Sequence, residues 1–358
     1  MVMDSGFWKN KRVFITGHTG FKGGWLSLWL QRHGAQVAGY SVGVPTAPSL
    51  FGIARVADGM QSMMGDVRDL DVLSSAMSGF DPEIVFHLAA QSLVRDSYVK
   101  PVETYSTNVM GTVHVLEAAR HCRNVRVVIN VTSDKCYENR EWLWGYRENE
   151  AMGGYDPYSS SKGCAELVTA AYRRSFFETN EQNQLEISLA SVRAGNVIGG
   201  GDWAKDRLIP DIMRAILEER SVLIRRPCAV RPWQHVLEPL NGYLILAEKL
   251  WSRDSRYVEG WNFGPMDEDT RPVSWIIEKI AGLWGEGARW EQDNTQHPHE
   301  ANFLKLDSSK ARMLLAWQTK LDLETALMWV VDWYKSYHTK QDMRIFTEQQ
   351  IGRFEQLG

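Results

Sequence analysis

The sequence predicts an α/β protein, a doubly wound parallel sheet carrying a smaller mixed α/β domain. Three observations lead there. Short apolar runs alternate with helical patterns through the first half of the chain, the rhythm of βαβ units. Two of those runs, Ile84-Val85-Phe86 and Val127-Val128-Ile129, are apolar throughout, as strands buried on both faces require. Beyond about residue 195 the rhythm breaks at Gly199-Gly200-Gly201 and gives way to mixed short elements.

Taken in order, Arg12-Val13-Phe14-Ile15-Thr16 reads as a first buried strand. Trp25, Leu28 and Trp29 then repeat at helical spacing up to Gly34. Gln36 to Ser41 and Gln61 to Met64 read as strands two and three, and Glu83 to Ala89 as strand four. Val125 to Thr132 is strand five and Leu185 to Val192 strand six. Helical patterns lie between them, including Val102 to His121 and Tyr158 to Phe177. After about Tyr337, apolar Ile345, Phe346 and Ile351 predict a docked terminal helix. Residues 1–195, with some later segments interleaved, are expected to form one domain, and residues 196–358 mainly the other.

Composition narrows the function. A chain of 358 residues can bury two cores, and 44% hydrophobic with 23% charged residues is ordinary for a globular protein. A net charge of −4 gives no electrostatic reason to expect nucleic acid or an anionic membrane as partner. The longest apolar runs are far too short to span a bilayer, and the N-terminal residues lack the pattern of a signal peptide. Cys122, Cys136, Cys164 and Cys228 show no metal or disulfide spacing, so reduced thiols in the cytoplasm are expected. His297-Pro298-His299-Glu300 contains an HxH, but with no third ligand nearby no metal site is expected. The 15 tryptophans are expected mostly in cores, with a few left to line a pocket for a sugar or base.

Thr16-Gly17-His18-Thr19-Gly20-Phe21-Lys22-Gly23 sits between the first strand and the first helix. Glycines there allow a tight turn and a close backbone approach to a pyrophosphate, and the helix N-terminus adds positive potential. Lys22 can add charge to a diphosphate or remain solvated. At the end of strand two, Tyr40-Ser41 offers neither an acid for a ribose 2′-hydroxyl nor an arginine for a 2′-phosphate, which leans toward NAD over NADP. Asp66-Val67, after strand three, is a candidate contact for the adenine edge or a helix cap.

Tyr158-Ser159-Ser160-Ser161-Lys162 places a phenol and an ammonium one helical turn apart. A neighbouring cation is expected to lower the tyrosine pKa from its reference near ~10 and make Tyr158 a base toward a substrate hydroxyl. Ser133, at the end of strand five, is within expected reach of the same hydroxyl.

Together with His87-Leu88-Ala89-Ala90 after strand four, these motifs resemble the extended short-chain dehydrogenase/reductase family over nearly the whole chain. The resemblance implies a Rossmann-type fold, NAD as cofactor, and cofactor contacts at Gly17, Thr19, Gly20, Phe21, Lys22, Gly23, Asp66, Val67, Leu88, Ala89, Tyr158 and Lys162. Val131-Thr132-Ser133-Asp134-Lys135-Cys136-Tyr137 looks like the strand-five motif of the nucleotide-sugar 4,6-dehydratases. Most of that group carry Thr-Asp-Glu where this chain has Ser133-Asp134-Lys135. The Ser-Asp-Lys-Cys-Tyr form, with Arg193 through Trp203, is similar to the branch that takes CDP-D-glucose.

That likeness implies a redox-neutral loss of water. Tyr158 takes the 4-hydroxyl proton as a hydride leaves C4 for NAD; a base removes the acidified C5 proton; Asp134 protonates the departing 6-hydroxyl; the hydride returns at C6. Lys135 stands where the expected glutamate base would be. It is assigned either as a base with a lowered pKa or as an electrostatic partner of the enolate. Asn196, Arg207, Leu208 and Arg231 match the family's diphosphate-side contacts, and Arg225, at a position often aromatic, is expected to help select cytosine. A homodimer through the helices at about 102–121 and 158–177 is also implied, as is a deoxysugar pathway feeding surface polysaccharide. Two rivals stay open: a nucleotide-sugar epimerase of the same fold, and a non-catalytic dinucleotide-sensing protein.

Overall fold

A computed structural model describes residues 3, 4, 6–177, 187–285, 289–293, 295 and 303–357. The first half alternates β1 (Arg12–Thr16), α1 (Phe21–Arg32), β2 (Gln36–Ser41), β3 (Gln61–Met64), α2 (Leu70–Phe80), β4 (Ile84–His87), α3 (Gly111–His121), β5 (Val127–Val131), α4 (Pro157–Tyr172) and β6 (Ser188–Ala194). The second half continues with β7 (Asn196–Ile198), α5 (Leu208–Leu217), β8 (Val222–Ile224), β9 (Val230–His235), α6 (Leu237–Trp251) and β10 (Gly260–Phe263). The helices α7 (Leu323–His338) and α8 (Met343–Gln356) follow.

The central sheet is parallel, in the order β10-β6-β5-β4-β1-β2-β3. Its order reverses between β1 and β4, and in doubly wound sheets the crevice at that reversal receives the ligand. Alternation along the strands explains the apolar runs. Val13, Ile15, Ile84, Phe86, Val127 and Ile129 face one core, while Phe14, Val85 and Val128 face a second core on the other side. A chain segment well past residue 195 completes the sheet, since β10 pairs with β6 in the register Trp261↔Val192. Smaller sheets, β7 with β9 and β8 with Trp290–Gln292, sit outside the main one.

Two long helical expectations are divided in the structure. The pattern at 102–121 runs as a short helix Pro101–Tyr105, a π turn Ser106–Met110 and then α3. α4 likewise ends in a π turn at Arg173–Phe177. At its start, Pro157 occupies the first turn and the Asp156 side chain accepts from Ser159 N at 2.9 Å, so α4 has a fixed origin.

The terminal helix α8 docks, though Ile345 points outward, while Met343, Ile351 and Phe354 are its buried apolar residues. It packs on α1: Trp29 donates through Nε1 to Glu355 at 2.8 Å, and the Trp29 and Phe354 rings meet edge-on at 5.7 Å. Trp8, Trp25, Trp29, Trp261, Trp317 and Trp333 are fully buried. The four cysteines are free. Among the described residues no helix is long and apolar enough to cross a membrane, and no cluster of side chains could hold a metal ion.

Candidate active site

The phosphate loop follows directly from β1. Gly17 has φ +80, and a Cβ there would sit 2.7 Å from Ala89 N at the end of β4. A Cβ on Gly23 would run into the Gly17 carbonyl, so the loop can fold back on the helix only with glycine at both positions. The first turn of α1 leaves backbone N–H groups without helical acceptors, and Gly20 to Gly23 line the cleft. That is a cradle for a pyrophosphate. Gly23→Ala is therefore expected to weaken NAD binding more than tenfold by titration calorimetry; wild-type affinity would remove the loop from the account.

His18, between the first two glycines, went unnoticed in the sequence. Its ring is buried over Gly39, with Nδ1 2.9 Å from Ser41 Oγ and Nε2 2.8 Å from Ser62 Oγ. Burial lowers its pKa to about 4, so the imidazole stays neutral while it links the loop to β2 and β3. No spacing rule could have revealed it, because its partners lie on two other strands.

Asp66 lines the cleft, but its carboxylate is held by Arg68, and the cap of α2 comes from Asp69 instead. The helix-cap alternative for Asp66 is thereby corrected. Leu88 and Ala89 donate their backbone N–H groups to Thr16 Oγ1 at 3.2 Å, tying β4 to β1 beneath the cleft.

The chemical centre forms where β5 meets α4. Ser133 caps the short turn Asp134–Cys136, accepting from Lys135 N at 3.2 Å and donating to Asp134 Oδ1 at 3.0 Å. Asp134 is buried and Lys135 half-buried, both on the cleft wall. Tyr158 and Lys162 project from α4 toward the same place. Lys162 Nζ donates to the Val131 carbonyl at 3.3 Å, and Asn108, presented by the π turn, donates to Ser161 Oγ at 2.9 Å.

The expected lowering of the Tyr158 pKa is not what the structure shows. Burial pushes the phenol up to about 12, moderated by a hydrogen bond with Ser133, while burial brings Lys162 down to about 8. Desolvation disfavours both charged forms and is the largest cause of each shift. Lys22 is also drawn down to about 8, by burial first and Arg207 next, with Asp134 opposing. Its side chain is half-buried and lines the same cleft.

Behind this centre lies an ion pair that the sequence did not suggest. Glu166, one turn after Lys162, accepts from Arg193 Nε and Nη2, both at 2.8 Å, and from Ser191 Oγ at 2.6 Å. The Thr132 hydroxyl donates to it as well. The neighbouring Tyr137 hydroxyl donates to Asn262 Oδ1 at 2.8 Å. The segment from Thr132 to Tyr137 is thus fastened to β6 through a buried, hydrogen-bonded carboxylate and to β10 through the Tyr137 hydroxyl.

On the far side, Asn196 opens β7 and Leu208 begins α5. Arg207 donates to Asp202 at 2.9 Å and to Ser92 Oγ at 3.0 Å. Arg231 Nη1 donates to the Val230 carbonyl at 3.0 Å, and Arg225 stands at the end of β8, 3.5 Å from Asp206. All the candidate catalytic, cofactor and substrate residues line one continuous cleft of about 1830 Å³, together with Trp203 and Trp233. His297 to Glu300 fall outside the described residues.

Comparison with known proteins agrees with this fold. The model of the family described as NAD dependent epimerase/dehydratase matches residues 13–258. A CDP-glucose 4,6-dehydratase of Salmonella typhimurium is 57% identical over 353 residues, covering 99% of this chain and 98% of that one. Among solved structures, a dTDP-glucose 4,6-dehydratase of Bacillus anthracis in complex with NAD superposes with a TM-score of 0.75 at 20% identity, covering 92% of this chain and 98% of its own. A UDP-glucose 4-epimerase of Thermotoga maritima with UDP-glucose gives 0.77 at 19% identity, covering 91% and 99%.

Proposed function

Because the chain belongs to the NAD dependent epimerase/dehydratase family, we propose that it converts CDP-D-glucose to CDP-4-dehydro-6-deoxy-D-glucose. It is a hydro-lyase that uses NAD and acts on a nucleotide sugar. The observation that carries the reading is Asp134, a buried acid bonded to Ser133 within the Tyr158 site. An epimerase has no water to expel and no need of that acid. A sensor without catalysis has no need of the Tyr158–Lys162–Ser133 set.

The glycine cradle and the first turn of α1 fit a dinucleotide pyrophosphate, and Gly17, Thr19 to Gly23, Asp66, Val67, Leu88 and Ala89 would hold NAD there. Bound NAD supplies reversible hydride exchange with the sugar. The protein's own residues do the rest. Ser133 and Tyr158 bind the 4-hydroxyl, and Tyr158 takes its proton. Lys162, held on the Val131 carbonyl, keeps a positive charge under that transfer. With a ketone at C4 the C5 proton becomes acidic; Lys135 removes it or steadies the enolate, while Asp134 gives a proton to the departing 6-hydroxyl oxygen. Asn196, Arg207, Leu208 and Arg231 anchor the diphosphate side, and Arg225 faces the base.

Residues 1–195 with the later strand β10 would form the cofactor half, and residues 196–358 mainly the nucleotide-sugar half. The protein is proposed to work in the cytoplasm, where its product would enter deoxysugar and surface-polysaccharide synthesis. Exposed Val102, Met110, Leu167 and Phe176, on or beside α3 and α4, support a homodimer through these helices. A solution mass of one chain by light scattering would refute it.

Incubation with CDP-D-glucose and catalytic NAD tests the activity. Formation of the 4-keto-6-deoxy product without net cofactor reduction is expected. Epimerised hexose or stoichiometric reduced cofactor would overturn it.

A further inference from the structure

On the reading that Arg207 and Arg231 anchor the diphosphate and Arg225 faces the base, the base lies by β8 and the segment leading into α5, which line the cleft. There one carboxylate stands between two guanidiniums. Arg95, on the helix Val94–Val99, donates through Nη1 to Asp206 Oδ1 at 2.8 Å. Arg225 Nη1, at the end of β8, lies 3.5 Å from the same oxygen. Arg95, Asp206 and Arg225 all line the cleft. Asp206 has φ +59, a backbone conformation uncommon for a non-glycine residue, and its ion pair with Arg95 anchors it there.

We propose that Asp206 is a specificity-determining residue that accepts the exocyclic amino group of cytosine, with Arg225 donating to the adjacent ring nitrogen. The inference rests on the reading of CDP-D-glucose as substrate. Cytosine presents a donor, the 4-amino group, beside an acceptor at N3. Uracil and thymine present an acceptor at O4 beside an N3–H donor. A carboxylate beside a guanidinium is acceptor beside donor, which complements cytosine and opposes uracil at both positions.

The separations suit that task. Arg95 is in firm charge-assisted contact and holds the carboxylate still. Arg225, at 3.5 Å, stands alongside, as two partners of neighbouring atoms on one base edge must. A site built to bond a substrate group rejects strongly the analogue that lacks it.

The test compares kcat/KM for CDP-glucose and UDP-glucose in the wild type and in Asp206→Asn. An asparagine amide can offer its carbonyl or its NH2, so the variant is expected to lose at least tenfold of the CDP preference. If both substrates fall by the same factor and the ratio stays within twofold, Asp206 has only a structural role and the proposal is overturned. A second measurement needs no variant. Calorimetric titration of the wild-type protein with CDP and with its pyrimidin-2-one analogue, which lacks the 4-amino group, is expected to show at least tenfold weaker binding of the analogue. Equal affinity overturns the proposal.

The two readings fail separately. A wild-type protein inactive on CDP-glucose that still binds CDP tenfold more tightly than the analogue loses the substrate reading and keeps Asp206. One active on CDP-glucose with an unchanged ratio in the variant loses only Asp206.

Discussion

Replacing Tyr158 with phenylalanine is expected to lower kcat on CDP-D-glucose by about 10³-fold, within the range that one positioned acid–base group contributes. The phenol is buried and its hydroxyl bonds Ser133, so phenylalanine fills the same volume and removes only the atom that handles the proton. NAD affinity, read by calorimetry, should stay within a few fold of wild type. The pH profile sharpens the point. With Tyr158 pushed up to about 12, its basic form is scarce at neutral pH, and the wild-type rate should rise with pH until Lys162, near about 8, begins to lose its charge. The variant should lose the rising limb. Residual activity within tenfold of wild type would take the proton from Tyr158 and give it to another group.

The second large effect separates the two halves of the elimination. Asp134→Asn is expected to cut product formation by about 10²–10³-fold while the recovered substrate still takes up deuterium at C5 from D2O. The 4-hydroxyl is still oxidised and C5 still exchanges, but no proton reaches the 6-hydroxyl oxygen. Lys135→Ala is expected to lose both exchange and product. The contrast is the test. Normal C5 exchange and turnover in Lys135→Ala would send the search for the C5 group elsewhere. Exchange lost in Asp134→Asn, with C4 oxidation intact, would mean that Asp134 acts at C5 and is not merely the acid.

Much of this was legible in the chain because its signals are local. The glycines from Gly17 to Gly23 and the turn from Tyr158 to Lys162 lie within one short segment each, and the buried strands announce themselves as apolar runs. What stayed hidden depends on distance or environment. His18 has partners on β2 and β3, and Glu166 finds Arg193 a strand away. The π turn that presents Asn108 carries neither proline nor glycine to mark it, so residues 102–121 read as one helix. The Tyr158 pKa went the other way because a sequence displays the neighbouring cation but not the lost water. The outward Ile345 shows the same limit: an apolar residue in a helix need not face the core.

The docking of α8 on α1 has a consequence for how the protein is made. Trp29, on the helix that begins at the phosphate loop, finds its acceptor Glu355 only 326 residues later. Until α8 has emerged from the ribosome Trp29 lacks that partner, and contacts of such sequence separation form late. The helix that begins at the phosphate loop is therefore synthesised long before this packing partner. Nascent chains stalled before α8 should expose Trp29 to chaperones, and those stalled after it should not.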